Sequence, residues 1–278
     1  MHLQRWLTAL VLIPAVISLI YFAPSWLFAV IIGVLAVIAL FEYYRIVLPD
    51  EIRSVFSPIP LSGFAAGLGM IAAASLGRYD IICLIFPGVL VLTGTCVLPA
   101  YRQSPVSFEA VLKQVAGQVY LSLMFALVVM IHAAPHGATW VLMLLILVFI
   151  GDTGAYYTGS YLGRHKLLPL VSPKKTVEGS LGGMAATVAG GMVINAYLPI
   201  LPWQLDMPQL PWGWGVLFFV VLSVCAQAGD LFESIMKRDA GVKDSGGIMP
   251  GHGGLLDRID GVLFAVPVMM LFKEYVFA

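Results

Sequence analysis

Long apolar runs separated by short polar breaks dominate the pattern of hydrophobic and polar positions along this chain. A helix needs roughly 20 apolar residues to cross about 30 Å of hydrocarbon. Nine runs approach that length, and each predicts a membrane-crossing helix. They cover about residues 6–22, 26–44, 58–76, 81–98, 115–134, 138–161, 179–198, 212–229 and 258–277.

Composition supports this interpretation. The chain is 60% hydrophobic and 11% charged, and its mean hydropathy of +0.95 lies far outside the range of soluble domains. We therefore predict an all-α polytopic membrane protein with about nine transmembrane helices. Because the formal net charge is zero, the total charge favours no acidic partner, and we expect no nucleic-acid ligand.

The distribution of lysine and arginine predicts the orientation of these helices. With nine spans, 13 of the 15 basic residues fall on one side, and only Arg78 and Lys273 fall on the other. By the positive-inside rule the N-terminus is cytoplasmic and the C-terminus lies outside. The first apolar run lacks a good small-residue cleavage site, so we expect a retained helix, and the compact length favours a bacterial inner membrane.

Four polar clusters on the predicted cytoplasmic side carry candidate chemistry. The first, FIGDTGAYYTGSYLGRHK, places Asp152 inside a span, close to three tyrosines. An acid at that depth is costly and often binds a metal, carries protons or pairs with a cation. A structural hydrogen bond between helices is the alternative.

The second cluster is VSPKKTVEGSLGG. Ser172 followed by Pro173 is typical of a helix start, with serine as the cap and proline at the first helical position. The predicted helix would present Lys174, Lys175 and Thr176 with free backbone N–H groups, which together favour a phosphate. An ordinary basic membrane flank is the alternative.

The third cluster, AGDLFESIMKRD, ends the eighth span. If the helix continues through it, Asp230, Glu233 and Lys237 lie on one face. Two acids within one turn repel each other unless a cation lies between them, and a divalent metal would satisfy that requirement.

The fourth cluster is the glycine-rich stretch that follows directly. Its glycines and proline exclude a regular helix and allow a close backbone approach to a ligand; they are Gly241, Gly246, Gly247, Pro250, Gly251, Gly253 and Gly254. Lys237, Arg238, Lys243 and His252 supply donors for phosphate oxygens. Asp257 and Asp260 then lie one turn apart at the start of the last span, and such carboxylates suit Mg²⁺.

These features together predict a phosphate and metal site on the cytoplasmic face. Carboxylates bind metal, cations bind phosphate, and glycines permit close approach. A phosphorylated compound that meets the membrane is the expected substrate.

In these clusters the sequence resembles the phosphatidate cytidylyltransferase family, also called CDP-diacylglycerol synthases. The stretch SIMKRDAGVKDSGGIMPGHGGLLDRID, residues 234–260, matches the long C-terminal signature of that family at essentially every constrained position. Met249 replaces the usual Leu, Ile or Phe, which is a mild departure. SPKKTVEG and GDTGAYYTG also look like family motifs, so the resemblance covers about residues 151–260.

The resemblance implies a Mg²⁺-dependent reaction in which CTP and phosphatidic acid give CDP-diacylglycerol and pyrophosphate, with room for a second cation. It also implies a homodimer with a cytoplasm-facing cavity. Both reactants are anions, so neutralising their charge is the main catalytic task.

The candidate residues divide by role. The catalytic candidates are Asp230, Asp257, Lys237, Lys243 and His252. The substrate-binding candidates are Ser172, Lys174, Lys175, Thr176, Arg238, Gly253, Gly254 and Arg258. The predicted metal ligands are Asp230, Asp257, Asp260 and Asp152.

We divide the chain into residues 1–114, holding the first four helices, and a catalytic part, residues 115–278, with cytoplasmic loops at 162–178 and 230–257.

A CTP-dependent lipid kinase is the main alternative function, since it needs the same apolar body, lysines and acids. A transporter is a second alternative, because acids lie at membrane depth.

Overall fold

The structure is a computed structural model that describes residues 13–100, 108–197, 210–247 and 253–277. Almost all of its regular elements are helices. In chain order they are α1 (Ile13–Phe22), α2 (Ser25–Val47), α3 (Pro58–Ser75), α4 (Tyr79–Ala100), α5 (Phe108–Gly117), a π-helix (Gln118–Leu123), α6 (Met124–Ala133), α7 (Gly137–Leu162), β1 (Lys166–Leu168), β2 (Ser172–Thr176), α8 (Val177–Tyr197), α9 (Trp212–Asp239) and α10 (Leu256–Tyr275).

The chain divides into two compact units. Unit 1 contains residues Met1–Ala133 and Asp239–Arg258, and unit 2 contains Ala134–Arg238 and Ile259–Ala278. The sequence predicted a division into residues 1–114 and 115–278. That division follows the candidate chemistry and not the packing of the helices, and it stays a prediction.

Unit 1 packs its helices around a core with both apolar and polar contacts. Leu40, Met70 and Leu121 are fully buried in it. The π-helix lies between α5 and α6, and Gln118 and Ser122 are among its buried residues. Gln118 Nε2 donates to the Tyr44 hydroxyl across 3.0 Å, so buried polar atoms join α2 to the π-helix.

Unit 2 combines an aromatic core with one very close helix pair. The ring of Trp140 on α7 lies 6.4 Å from that of Phe218 on α9 and 6.0 Å from that of Phe277 after α10. Glycines allow α7 and α8 to approach closely: a Cβ added at Gly182 would collide with Thr158, and one at Gly154 would collide with Ala186. Small residues at helix contacts are typical of packing in lipid.

The all-α polytopic membrane fold is confirmed. Seven helices in the described part of the chain are long and apolar enough to cross a membrane, so the count of nine is not confirmed. The first predicted span is described only from Ile13 to Phe22. The last corresponds to α10, which carries charged residues at both of its ends.

Two local predictions on the candidate loops need correction. The helix start at Ser172 is wrong, because Ser172 and Pro173 lie in β2, which pairs antiparallel with β1. Proline lacks an N–H donor, but it fits a two-stranded sheet in which each strand is an edge. Residues 230–239 are not a loop either, since α9 continues through them to Asp239.

Replacing Gly182 by valine should destabilise the protein by about 1–3 kcal/mol, because the added side chain has no space against Thr158. The apparent unfolding midpoint in detergent measures this effect. Gly88→Val is the matched control, since nothing lies within 4 Å of a Cβ at Gly88. Equal midpoints for the two variants would contradict the close packing of α7 and α8.

Candidate functional site

A cavity of about 400 Å³ lies within unit 2, and three helices and the hairpin surround it. Helix α7 contributes Asp152, Tyr156 and Ser160 to its lining. The β1–β2 hairpin and the start of α8 contribute Leu167, Lys174, Lys175, Thr176, Gly179 and Ser180, and α9 contributes Gln227, Asp230 and Leu231. Two of the four polar clusters and the start of a third therefore meet around one cavity.

Lys175 and Asp230 form an ion pair in this cavity, between Nζ and Oδ2. Both side chains are part-exposed, at 29% and 39%. Asp152 lies close enough to interact electrostatically with both of them. The cavity therefore contains two carboxylates and an ammonium group within one electrostatic cluster, with a second lysine, Lys174, in its lining.

A second acidic cluster continues along α9. Lys237 Nζ lies 2.8 Å from Glu233 Oε2, and the Glu233 side chain is only 1% exposed. Asp260 on α10 interacts with Glu233, Asp230 and Lys237. The predicted alignment of Asp230, Glu233 and Lys237 along one helix face is therefore confirmed, and Asp260 joins that face from α10.

Thr176 and Glu178 fix the hairpin to the start of α8. The Thr176 hydroxyl accepts the N–H of Gly179 across 3.1 Å, so Thr176 caps the helix that sequence reasoning began at Ser172. Glu178 accepts the backbone N–H of Arg164 at 3.0 Å and lies 2.6 Å from His165 Nδ1. The two lysines of the cavity thus extend from a strand that is anchored at its end.

Asp257 holds the end of the glycine-rich stretch against α10. Its Oδ2 accepts the N–H of Ser245, the hydroxyl of Ser245 and the N–H of Gly254, each across 2.9 Å. Gly253, with φ of 83°, adopts a left-handed conformation that favours glycine. A carboxylate with three donors on one oxygen orders the loop, whether or not it also binds a ligand.

Glu42 is the residue that sequence reasoning missed. It lies in α2, is 1% exposed, and accepts the N–H groups of Leu255 at 3.1 Å and Leu256 at 2.9 Å. These N–H groups at the start of α10 have no partner within their helix, and a carboxylate is favoured there. The sequence did contain a signal for Glu42, because an acid within an apolar run is also what identified Asp152 as a candidate.

Glu42 also limits the side chains that the loop can carry. A Cβ added at Gly246 or Gly254 would collide with its carboxylate. The Ser245 hydroxyl lies 3.3 Å from Glu42 Oε2 and 2.9 Å from Asp257 Oδ2, and its single proton can serve only one of them at a time. Two of the predicted loop glycines therefore make room for a buried acid of the same unit.

The remaining predicted residues are placed as follows. Ser172 is half-buried in β2, Arg238 donates from Nε to the carbonyl of Val171 across 3.3 Å, and Lys243 and Arg258 are exposed. His252 lies outside the described residues. Within the described ranges, no group of three or more His, Cys, Asp or Glu side chains is arranged to hold a metal ion, so Mg²⁺ stays a prediction.

Comparison with known proteins gives a consistent result. The family model described as "Cytidylyltransferase family" matches residues 3–276. The chain is similar to the phosphatidate cytidylyltransferase of Brucella suis biovar 1, with 43% identity over 139 residues, which is 50% of this chain and 48% of that protein. It is also similar to the phosphatidate cytidylyltransferase of Staphylococcus epidermidis, with 40% identity over 134 residues, 48% of each chain. The chain spans about half the length of the curated relatives it matches.

Replacing Glu42 by glutamine should lower stability by about 1–3 kcal/mol, because the amide NH₂ would face N–H donors at the start of α10. Amide hydrogen exchange should become faster at Leu255 and Leu256. Glu51→Gln, at an exposed position after α2, is the matched control and should change neither quantity. Unchanged exchange at Leu255 and Leu256 in Glu42→Gln would remove the capping role.

Proposed function

The chain belongs to the cytidylyltransferase family, and from this premise we propose that it transfers CMP from CTP to phosphatidic acid, giving CDP-diacylglycerol and pyrophosphate. The family match across almost the whole chain is the observation that carries the proposal. The names of the similar bacterial proteins support phosphatidate as the acceptor.

The proposed reaction joins two anions. A phosphate oxygen of phosphatidic acid attacks the α-phosphorus of CTP, a new P–O bond forms, and the bond to the bridging oxygen breaks as pyrophosphate leaves. The attacking phosphate is already ionised, so the main requirement is charge neutralisation and alignment. A cavity that holds Lys174 and Lys175 beside two carboxylates supports this chemistry.

We assign the lysines of β2 to phosphate binding. Lys175 forms an ion pair with the part-exposed Asp230. Its ammonium group can therefore release that carboxylate and bind a phosphate oxygen while it stays within the cavity. Lys237, Arg238, Lys243 and His252 remain candidates for further phosphate contacts.

We propose that Mg²⁺ is held by Asp230 with Asp152 and Asp260, and Asp257 stays a predicted ligand. The chemistry of these donors fits, since carboxylate oxygens are the ligands Mg²⁺ prefers and Asp230 interacts electrostatically with both other acids. The three carboxylates are not arranged as a metal site in the described structure, so binding of the ion would have to draw them together. Bound Mg²⁺ would supply positive charge to the CTP phosphates. If Asp230 holds the ion, the ammonium group of Lys175 would be available to bind phosphate.

The setting of the reaction is part of the proposal. We propose a bacterial inner membrane, a cytoplasmic N-terminus and an outer C-terminus, supported by the bacterial relatives and the positive-inside pattern. A homodimer and a second cation rest on the family resemblance alone.

The reaction is tested with purified protein, phosphatidic acid and CTP that is labelled either in the base or, in a parallel reaction, at the γ-phosphate, with Mg²⁺ or with EDTA. We expect label in the organic phase with Mg²⁺ only. Label that enters the lipid from the γ-phosphate instead would mean a lipid kinase. Absence of both labels from the lipid would contradict the proposal and favour the transport alternative.

Asp230→Asn should lower kcat by about 100-fold or more while the unfolding midpoint stays unchanged, because the variant keeps the shape and loses the charge. Asp239→Asn, at the exposed end of the same helix, is the matched control and should keep normal turnover. Normal turnover in Asp230→Asn would exclude this carboxylate from the reaction.

A further inference from the structure

Ser180 and Gln227 form a polar pair in the lining of the unit 2 cavity. Ser180 lies in the first turn of α8, Gln227 lies in the second half of α9, and both are half-buried. The phosphate and metal contacts proposed above use neither side chain. The pair is therefore a polar part of the cavity that is available to another portion of a substrate.

The orientation of the Gln227 amide follows from one backbone contact. Its Nε2 donates to the carbonyl of Ser180 across 3.2 Å, and because a carbonyl oxygen can only accept, the amide nitrogen must lie on that side. Nε2 also donates to the hydroxyl of Ser223 across 3.1 Å. The other side of the amide carries Oε1, which accepts the hydroxyl of Ser180.

These contacts use every proton that the pair can donate. The two N–H bonds of the Gln227 amide go to Ser180 and Ser223, and the single hydroxyl proton of Ser180 goes to Gln227 Oε1. Both Ser180 Oγ and Gln227 Oε1 keep a lone pair beyond these bonds. The pair can therefore accept hydrogen bonds from a ligand, but it has no proton to donate to one.

This pattern distinguishes between the two proposed substrates. The ester oxygens and the ionised phosphate of phosphatidic acid are acceptors, so they would face the pair with no proton between the oxygens. The nucleoside of CTP carries donors, namely the amino group of cytosine and the hydroxyl groups of ribose. Of the two substrates, CTP is the one whose chemistry complements the pair.

The position of the pair agrees with this match. Gln227 precedes Asp230 by three residues, which is about 4.5 Å along the axis of α9. Asp230 pairs with Lys175, which is assigned to phosphate binding. In CTP the ribose follows the α-phosphate directly and the base follows the ribose. A nucleotide whose phosphates meet Lys175 can therefore extend its nucleoside to the pair.

We infer that Ser180 and Gln227 accept a hydrogen bond from the nucleoside of CTP and thereby select this nucleotide. Two groups supply that chemistry, the cytosine amino group and the ribose 2′-hydroxyl, and they predict different selectivities. UTP has an oxygen in place of the amino group, and dCTP lacks the 2′-hydroxyl. The inference rests on the proposed function, because it takes CTP as a substrate of this cavity.

Displacement of labelled CTP from the full chain in detergent, with Mg²⁺ and without phosphatidic acid, tests the inference. UTP, dCTP and unlabelled CTP compete for the wild-type protein and for Gln227→Met. Methionine removes the acceptor and releases the Ser180 proton, which can then be donated to the uracil oxygen. We expect the preference for CTP over UTP, or over dCTP if the ribose is the donor, to fall by about tenfold.

Two further variants separate recognition from packing. Ser180→Ala removes one of the two acceptors and should lower the same preference. Ser223→Ala is the matched control, because Ser223 is only 2% exposed and lies outside the cavity lining. This control removes a partner of Gln227 but leaves both acceptors in place, so the preference among the three nucleotides should not change.

Turnover supplies a second measurement. Gln227→Met should raise the KM for CTP by about tenfold, while the KM for phosphatidic acid stays within about twofold, because only the nucleotide gives a proton to the pair. An equal rise in both KM values would contradict a contact with the nucleoside.

Equal weakening of CTP, UTP and dCTP binding in Gln227→Met and Ser180→Ala would overturn the inference and leave the pair as a link between α8 and α9. Equal binding of the three nucleotides by the wild-type protein would overturn it as well. Failure of the proposed function has a different signature, which is absence of base label in the lipid with wild-type protein. The displacement measurements would then still decide whether the pair selects the nucleoside.

Discussion

A carboxylate that leaves water must find donors or cations, and this constraint organises both units. Glu42 meets it with backbone N–H groups at the start of α10. Glu233 meets it with Lys237, and Asp230 meets it with Lys175. Each acid lies in a helix whose other residues are mostly apolar, so the position of its partner fixes how the neighbouring segment must run.

The same constraint separates two kinds of acid. The carboxylate of Glu42 is enclosed and its donors are backbone groups, which cannot leave without breaking the start of a helix. The carboxylate of Asp230 is part-exposed, and its donor is a flexible lysine. The first arrangement suits a permanent structural contact, and the second suits an exchange of partners during a reaction.

The sequence predicted those features that depend on neighbours along the chain. The approximate positions of most helices followed from apolar runs, and the shared face of Asp230, Glu233 and Lys237 followed from helical spacing. The helix start at Ser172 failed because cross-strand pairing with β1 outweighed a local capping signal. Glu42 was missed because its partners lie more than 200 positions away, a separation that periodicity does not report.

The glycine contacts between α7 and α8 have a mechanical consequence. Side chains that interlock can slide by changing rotamer, but backbones in direct contact leave no such freedom. Gly151 and Gly154 face Thr187, Ala186 and the backbone of α8, so this wall of the cavity is stiff. Any widening that admits a bulky lipid must then come from the other elements that line the cavity, which are the hairpin and α9.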